Sequence, residues 1–451
     1  MKQLTDLEND KIPILVLKLA IPAMFAQFVT VLYSIIDRIF IGNIKEVGDL
    51  ALAGVGVCGP IVTLMTSFGT LVGLGGSILV AMRMGEGKKK EAESILTHSF
   101  TMLVIFSAIL TIIFLMSKEY LLRWFGASTI TFPYADTYLT IYTIGTFFAL
   151  MACGLNYFIT CQGFPAIGMT TVLIGAVTNI ILDPIFIFVL HLDVAGAAFA
   201  TVIAQFASCA FAFHFLISKK APVRIRSLQH VDISFSIVKR ILSIGVSPFL
   251  ILATDSLIII VMNSVLQKYG GAGEGDTLIT CATIVQSYLL LITGPMLGIS
   301  GGTQAILSFN FGARQWDRVR RAEKYILLLC LAFTSIMFVL SRVVPEHFIH
   351  LFTNDAEMIK LATWGIHVFT LMIVPLSFQY VFVDGFTALG KSTAALPLSL
   401  LRKGSYILFT IFLPVFWGAK SAFYAQPLAD GLGAVVSTIT FLLVFNRLLK
   451  E

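Results

Sequence analysis

Asp37 and Asp183 each fall within or at the edge of a long apolar run, the first following Leu19 to Ile36 and the second inside Met169 to Leu190. Asn179 stands four residues before Asp183, so a helix would present both on one face. Pro184 follows directly; it has no N–H to donate and leaves a carbonyl free one turn back. Thr201, early in the next apolar run, adds a hydroxyl. Two carboxylates, an amide oxygen and a hydroxyl form a hard-oxygen set suited to a small hard cation. The same pair can instead hold a proton, because close carboxylates in a low dielectric cannot both stay ionised. An ionised group at a helix centre costs about 2.5–3.5 kcal/mol on insertion scales, which makes each such residue a functional candidate. Plainer roles exist for all four. Asp37 precedes Arg38 and can be ion-paired or wet at the end of its helix, while Asn179 and Thr201 can be interhelical hydrogen-bonding glue.

These residues need helices that cross a membrane, and the composition supplies them. Of 451 residues, 57% are hydrophobic and only 12% charged, with a mean hydropathy of +0.91; soluble chains carry about 25% charged residues. A span needs about 20 apolar residues. Leu19 to Ile36, Ile95 to Met116, Met169 to Leu190 and Ala422 to Phe445 are clear cases, and about twelve such helices are expected. Met1 to Lys11 is polar and no small-residue cleavage site follows the first apolar run, so the first helix is expected to remain. Cys58, Cys153, Cys161, Cys209, Cys281 and Cys330 fall in or beside spans without Cys-x-x-Cys spacing and read as small apolar residues.

Basic residues cluster at alternate connections: Arg83 with Lys88 to Lys90, then Lys219, Lys220, Arg224, Arg226, Lys239 and Arg240, then Arg314, Arg318, Arg320, Arg321 and Lys324. The intervening connections are poorer in Lys and Arg and carry acids, among them Glu46, Asp49, Asp193, Glu346, Asp355 and Glu357. Cytoplasmic loops retain Lys and Arg, which predicts that both termini and the long central connection are cytoplasmic. The net charge of +6 therefore follows the membrane and gives no sign of a nucleic-acid partner.

The two halves of the chain correspond at a nearly constant offset. Ile21-Pro22 matches Ser247-Pro248, Gly75-Gly76-Ser77 matches Gly301-Gly302-Thr303, Gly85 matches Gly312, and Gln162-Gly163 matches Leu389-Gly390. So long a period marks duplication of a lobe rather than a solenoid. Equivalent placement of the basic clusters after Met82 and Phe311 predicts an even number of spans per half, hence two similarly oriented lobes with a substrate site between them. The expectation is an all-α integral membrane fold of two pseudo-symmetric six-helix lobes, 1–220 and 236–451, joined by a cytoplasmic linker at 221–235. At equivalent positions Asp37 becomes Asn263, Asn179 becomes Tyr406 and Asp183 becomes Thr410, which confines the cation set to the N-terminal lobe. The C-terminal lobe has Asp255, Asp384, Arg402, Lys403 and Asp430. Asp255 is a candidate for the substrate cavity, whereas Asp384 with Arg402 reads as a structural ion pair at the cytoplasmic end.

At these residues the chain resembles the multidrug and toxic compound extrusion (MATE) family, in particular its bacterial DinF-like and MepA-like members. The likeness is carried by Val29-Thr-Val-Leu-Tyr-Ser-Ile-Ile-Asp37-Arg-Ile-Phe-Ile-Gly42, Gly73-Leu-Gly-Gly-Ser77, Asn179-Ile-Ile-Leu-Asp183-Pro-Ile-Phe-Ile187 and Gly196-Ala-Ala-Phe-Ala-Thr201. Ser308-Phe-Asn-Phe-Gly-Ala-Arg314 and Pro427-Leu-Ala-Asp430 fit as well, and Asp193 stands where the family often has glycine. The resemblance implies a V-shaped pair of six-helix lobes in the cell (inner) membrane, acting as an antiporter driven by a sodium or proton gradient. It implies that Asp37, Asn179, Asp183 and Thr201 hold the cation, a sodium ion if coupling is to sodium, with no other cofactor. Tyr138 matches a cavity tyrosine, and Asp255 is only an approximate counterpart of an acidic residue that another branch places in the seventh helix. The expected partners are a small organic substrate, the coupling ion and the bilayer, with the protein a monomer.

The alternative within the same superfamily is a lipid-linked precursor flippase, which is expected to line its cavity with Arg and Lys rather than carboxylates. An enzyme is not expected. There is no His-Glu-x-x-His and no Asp-Asp-x-x-Asp; Gly273-Glu-Gly-Asp276 lies in a polar loop, and the histidines are scattered. Gly385-Phe-Thr-Ala-Leu-Gly-Lys-Ser392 spells a phosphate-binding loop but ends a membrane helix instead of joining a strand to a helix, so it is a chance match. An acidic cavity with aromatics suits lipophilic cations, although most of the 38 phenylalanines are accounted for by lipid-facing surface.

Overall fold

The computed structural model describes residues 6–226 and 234–448. Part of the expected linker, 227–233 with His230, lies outside them, as do the side chains of Asp49 and Asp276. Among the described residues ten helices are long and apolar enough to cross a membrane, and two bent helix pairs raise the number to twelve. The chain is a multi-pass, all-helical membrane protein.

The first half comprises α1 (Ile12–Gly42), α2 (Gly48–Gly85), α3 (Lys89–Trp124), α4 (Phe132–Ile144), α5 (Thr146–Thr160), α6 (Pro165–Pro184) and α7 (Asp193–Ile217). The second comprises α8 (Phe235–Gly271) and α9 (Thr277–Gly312), then α10 (Trp316–Val343), a short α11 (Pro345–Ile349), α12 (Ala356–Phe369), α13 (Ile373–Ala388), α14 (Ser392–Trp417) and α15 (Ala425–Leu448). Prolines open α1, α4 and α6 in the first turn, where the missing N–H has no intrahelical partner to lose. The bent pairs are α4 with α5, at 58°, and α12 with α13, at 47°. Their breaks fall at equivalent repeat positions, before Thr146 and before Ile373. Large apolar side chains face outward, Ile112 at 60% exposure and Leu442 at 68% among them, as a lipid-facing wall requires.

The halves meet closely at the end of the molecule that carries the basic clusters, here called the basic end. A Cβ on Gly85 would strike the Phe309 carbonyl oxygen, and one on Gly312 would strike that of Met82, with the Met82 carbonyl carbon only 2.8 Å away. The two contacts are reciprocal under the repeat, so α2 and α9 cross on the pseudo-twofold axis with only glycine between the backbones. Lead-in segments cross over as well. Arg318 on α10 donates to the carbonyls of Leu7 (3.1 Å) and Asp10 (3.0 Å) and to Asn310 Oδ1 (2.8 Å). The backbone N–H of Ser234, just before α8, donates to His98 Nε2 on α3 at 2.9 Å. The described part of the linker is also strapped down rather than free: Val223 N–H donates to Gln162 Oε1 (2.8 Å), and Arg226 pairs with Glu93 (3.0 Å).

Candidate functional site

Four helices of the first half converge on one polar pocket. The route to it begins at Pro184, after which the helix widens into a π turn, Ile185–Val189; such bulges occur where a helix must re-aim a side chain or carbonyl. Gly196 lets α7 press against the backbone of that turn: its Cβ would lie 2.8 Å from Phe186 C and 3.0 Å from Ile187 N. The close approach brings Thr201 over the face of α6 that carries Asn179 and Asp183.

Asn179 and Asp183 are 2% and 0% exposed. The Asn179 Nδ2 group donates to Asp183 Oδ1 at 3.2 Å and to Thr201 Oγ1 at 3.5 Å. Asp37 on α1 lies within hydrogen-bonding reach of the Asp183 carboxyl. Tyr138 on α4 lies beside Thr201 and near Asp37. Behind it, Tyr142 stacks on Tyr138 with ring centroids 6.3 Å apart and accepts a hydrogen bond from Gln205 Nε2 at 3.1 Å. The structure thus brings together five of the six residues singled out in the sequence: Asp37, Tyr138, Asn179, Asp183 and Thr201.

Asp37 Oδ1, Asn179 Oδ1 and Asp183 Oδ2 are buried and lack a hydrogen-bond donor. Buried oxygens of this kind are costly unless a proton or cation compensates them. The donor set of carboxylate, amide and hydroxyl oxygens fits a small monovalent cation such as sodium, or a shared proton. Among the described residues no three His, Cys, Asp or Glu side chains gather as a transition-metal site would need.

Asp255 is elsewhere. It pairs with Lys403 on α14, with the Asp255 side chain 44% exposed and that of Lys403 10%. The expected pairing of Asp384 with Arg402 is not formed. Arg402 binds Asp430 at 3.0 Å, across the α14–α15 hairpin, and lies 5.5 Å from the Tyr380 ring centroid; Gln426 completes that set on Asp430 at 2.7 Å. Asp384 accepts from Ser300 Oγ at 2.6 Å instead. Sequence order put Asp384 and Arg402 on consecutive spans but did not give their depth or azimuth.

Glu323 is inconspicuous in the sequence because it sits among Arg320, Arg321 and Lys324. Its register is the signal. Val319, Ala322, Glu323, Ile326 and Cys330 form the buried stripe of α10, so Glu323 belongs to the apolar face.

The MatE family model matches residues 22–185 and again 249–412, which is the internal duplication seen in the sequence. The chain is 24% identical over 448 residues to the multidrug export protein MepA of Staphylococcus haemolyticus, covering 99% of this chain and 97% of that one. It is 22% identical over 429 residues to MepA of Staphylococcus aureus, covering 95% and 93%. Among solved structures, an outward-facing multidrug resistance MATE family transporter of the MOP superfamily aligns at a TM-score of 0.91 with 22% identity over 99% and 98% of the two chains. A MOP superfamily transporter from Pyrococcus furiosus aligns at 0.90 with 23% identity over the same shares. With one family model accounting for both halves, and twelve spans arranged as in solved transporters of that kind, the chain belongs to the MatE family and is a MATE membrane transporter.

Proposed function

We propose that this transporter is an antiporter that exports small organic compounds, lipophilic or cationic in character, in exchange for sodium ions or protons entering through the N-terminal lobe. The observation that supports it most is the Asp37–Asp183 contact, with Asn179, Thr201 and Tyr138 around it and three buried oxygens lacking donors. Two like charges about 4 Å apart repel by on the order of 4 kcal/mol at an effective dielectric of about 20. A bound cation or shared proton removes that repulsion, and its departure restores it. The pocket therefore has two states of different energy, which is what coupling needs. Similarity along nearly the whole chain to proteins named as multidrug exporters supports export of several unrelated compounds.

In this reading the lobes 1–220 and 236–451 move about the α2–α9 crossing, the basic end faces the cytoplasm, both termini are cytoplasmic, and the protein works as a monomer in the cell membrane without catalytic chemistry. The test is transport of tetraphenylphosphonium into inside-out proteoliposomes with a sodium or a proton gradient imposed separately. One gradient should drive accumulation in the wild type. Asp183→Asn should lower it at least tenfold while the protein stays folded, because it removes a charge and keeps the shape. Undiminished gradient-driven transport by Asp183→Asn would defeat the proposal.

A further inference from the structure

A second pair of acids lies deep in the C-terminal half, away from the Asp37 pocket and not among the residues proposed to couple transport. Glu323 is 3% exposed, two turns or about 10 Å into α10 from its basic end. Neither of its carboxylate oxygens has a hydrogen-bond donor. Its side chain packs flat on the bare backbone of Gly385 in α13: a Cβ there would lie 2.5 Å from Oε1 and 3.0 Å from Oε2. The neighbouring residue along α13 is Asp384, whose charge acts on Glu323. Ser300 Oγ, on α9, donates to Asp384 at 2.6 Å, and the side chain of Gln304, one turn further along α9, lies beside the same carboxyl. The other titratable side chains facing the pair are Cys330 on α10, Tyr157 on α5 and Tyr380 on α13. No lysine, arginine or histidine pairs with Glu323 or Asp384 among the described residues.

We propose that Glu323 and Asp384 form a proton-binding site of their own, in which Glu323 carries the proton. An unpaired carboxylate enclosed in a helical bundle is relieved by a proton, a small cation or an ordered water, and the last two need space. Packing decides between them. A metal cation needs several oxygens and room for its shell, whereas the Glu323 carboxyl lies directly on the Gly385 backbone and Asp384 is already engaged by Ser300. A proton needs no room. The site also has a way out. Gln304, which lies beside Asp384, lines a cleft between the lobes with Ser77, Tyr157, Thr160 and Ser308. Tyr157, at the repeat position equivalent to Asp384, lines that cleft from the N-terminal lobe. In this proposal the proton on Glu323 exchanges by way of Asp384 and Gln304 toward that cleft.

Infrared spectroscopy of the purified full-length protein at neutral pH tests this without any transport measurement. The wild type should show a protonated-carboxyl stretch that shifts when glutamate is isotopically labelled. Glu323→Gln, isosteric with the protonated acid, should fold and lose that band, while Asp37→Asn and Asp183→Asn should keep it. Exchange of the band in heavy water should slow at least tenfold in Gln304→Leu. A wild type without a labelled-glutamate band, a band that survives Glu323→Gln, or one that sodium chloride abolishes would each overturn the assignment. Because the readout is local to Glu323, its failure would leave the Asp37–Asp183 reading standing, and the converse also holds.

Discussion

Replacing Gly312 by alanine should open the basic end of the transporter. In the structure a methyl group on Gly312 would meet the Met82 carbonyl, with the carbonyl carbon and Cα both 2.8 Å from the new carbon and the oxygen nearer still. Ordinary carbon contacts need about 3.5–4.0 Å, so α2 and α9 must part by roughly 1 Å across the crossing. Both obstructing groups are backbone, and neither can swing aside as a side-chain tip would. Overpacking of this kind costs about 1–3 kcal/mol. The cost is confined to arrangements in which the two helices touch, so the closed basic end should lose population by about 5–150-fold relative to the open one. Dyes at Lys89 and Arg320, both exposed and on opposite lobes, report that distance by single-molecule energy transfer in nanodiscs. Gly312→Ala should move molecules to a longer separation. Gly85→Ala should do the same through the reciprocal contact, and the two together should add less than their sum because they share one interface. Gly59→Ala on α2, where a Cβ would meet nothing within 4 Å, should leave the distribution unchanged. If Gly312→Ala and Gly59→Ala give the same distribution as the wild type, the crossing is not what holds the basic end shut.

The Asp255–Lys403 pair should be unequal in its parts. Asp255→Asn leaves the more deeply buried Lys403 without a counter-charge and should cost about 1–3 kcal/mol in thermal unfolding, with much of the loss recovered in Asp255→Asn/Lys403→Met; an unaltered melting temperature in the single variant would show the pair to be inert. Cysteines introduced at Lys45 and Lys89 in a background stripped of native cysteine should label from opposite sides of the membrane with an impermeant maleimide, Lys89 from the cytoplasm; labelling of both from one side would contradict the assigned orientation.

The legible parts of this molecule are those that energy makes conspicuous. Asp37 and Asp183 stand out because apolar runs seldom contain acids, and the Asn179–Asp183 spacing gives their shared face before any fold is known. The duplication is written in Gly85 and Gly312 and in the paired prolines Pro22 and Pro248. Azimuth and depth are not written so plainly. Arg402 chose Asp430 over Asp384 because a hairpin brings α14 and α15 together at that level, and a count of polar residues per span cannot rank such partners. Glu323 was hidden by its charged neighbours along the chain, although its spacing matched the buried stripe. Asp193 is a departure with a structural explanation: its φ of +47° lies in the left-handed region, where glycine is at ease and aspartate is one of the few side chains tolerated.

The lobes share a scaffold but not its chemistry, and that difference has a mechanical consequence. A ligand shifts a conformational equilibrium only by its differential affinity for the two states. Sites of equal strength at equivalent positions in two similarly oriented halves would be filled and emptied together. Here the positions equivalent to Asp37, Asn179 and Asp183 hold Asn263, Tyr406 and Thr410, none of them an acid. The acids of the second half are placed otherwise, Asp255 against Lys403 and Asp384 beside Glu323. Of the elements that build the first pocket, α1 also touches the opposite lobe directly. Its Ala23 and Met24 lie under Gly298 of α9, where a Cβ would be 2.7 Å from the Ala23 carbonyl oxygen. Pro22 breaks the hydrogen-bond ladder of α1 at that level, so the helix can bend there at low cost. In the proposed cycle a change of charge at Asp37 has a short physical path to the lobe interface: along one helix, past a proline break, onto a glycine contact with no room for a side chain. The second half has the same hinge residue in Pro248, yet the helix that carries it, α8, has a neutral asparagine where α1 has Asp37.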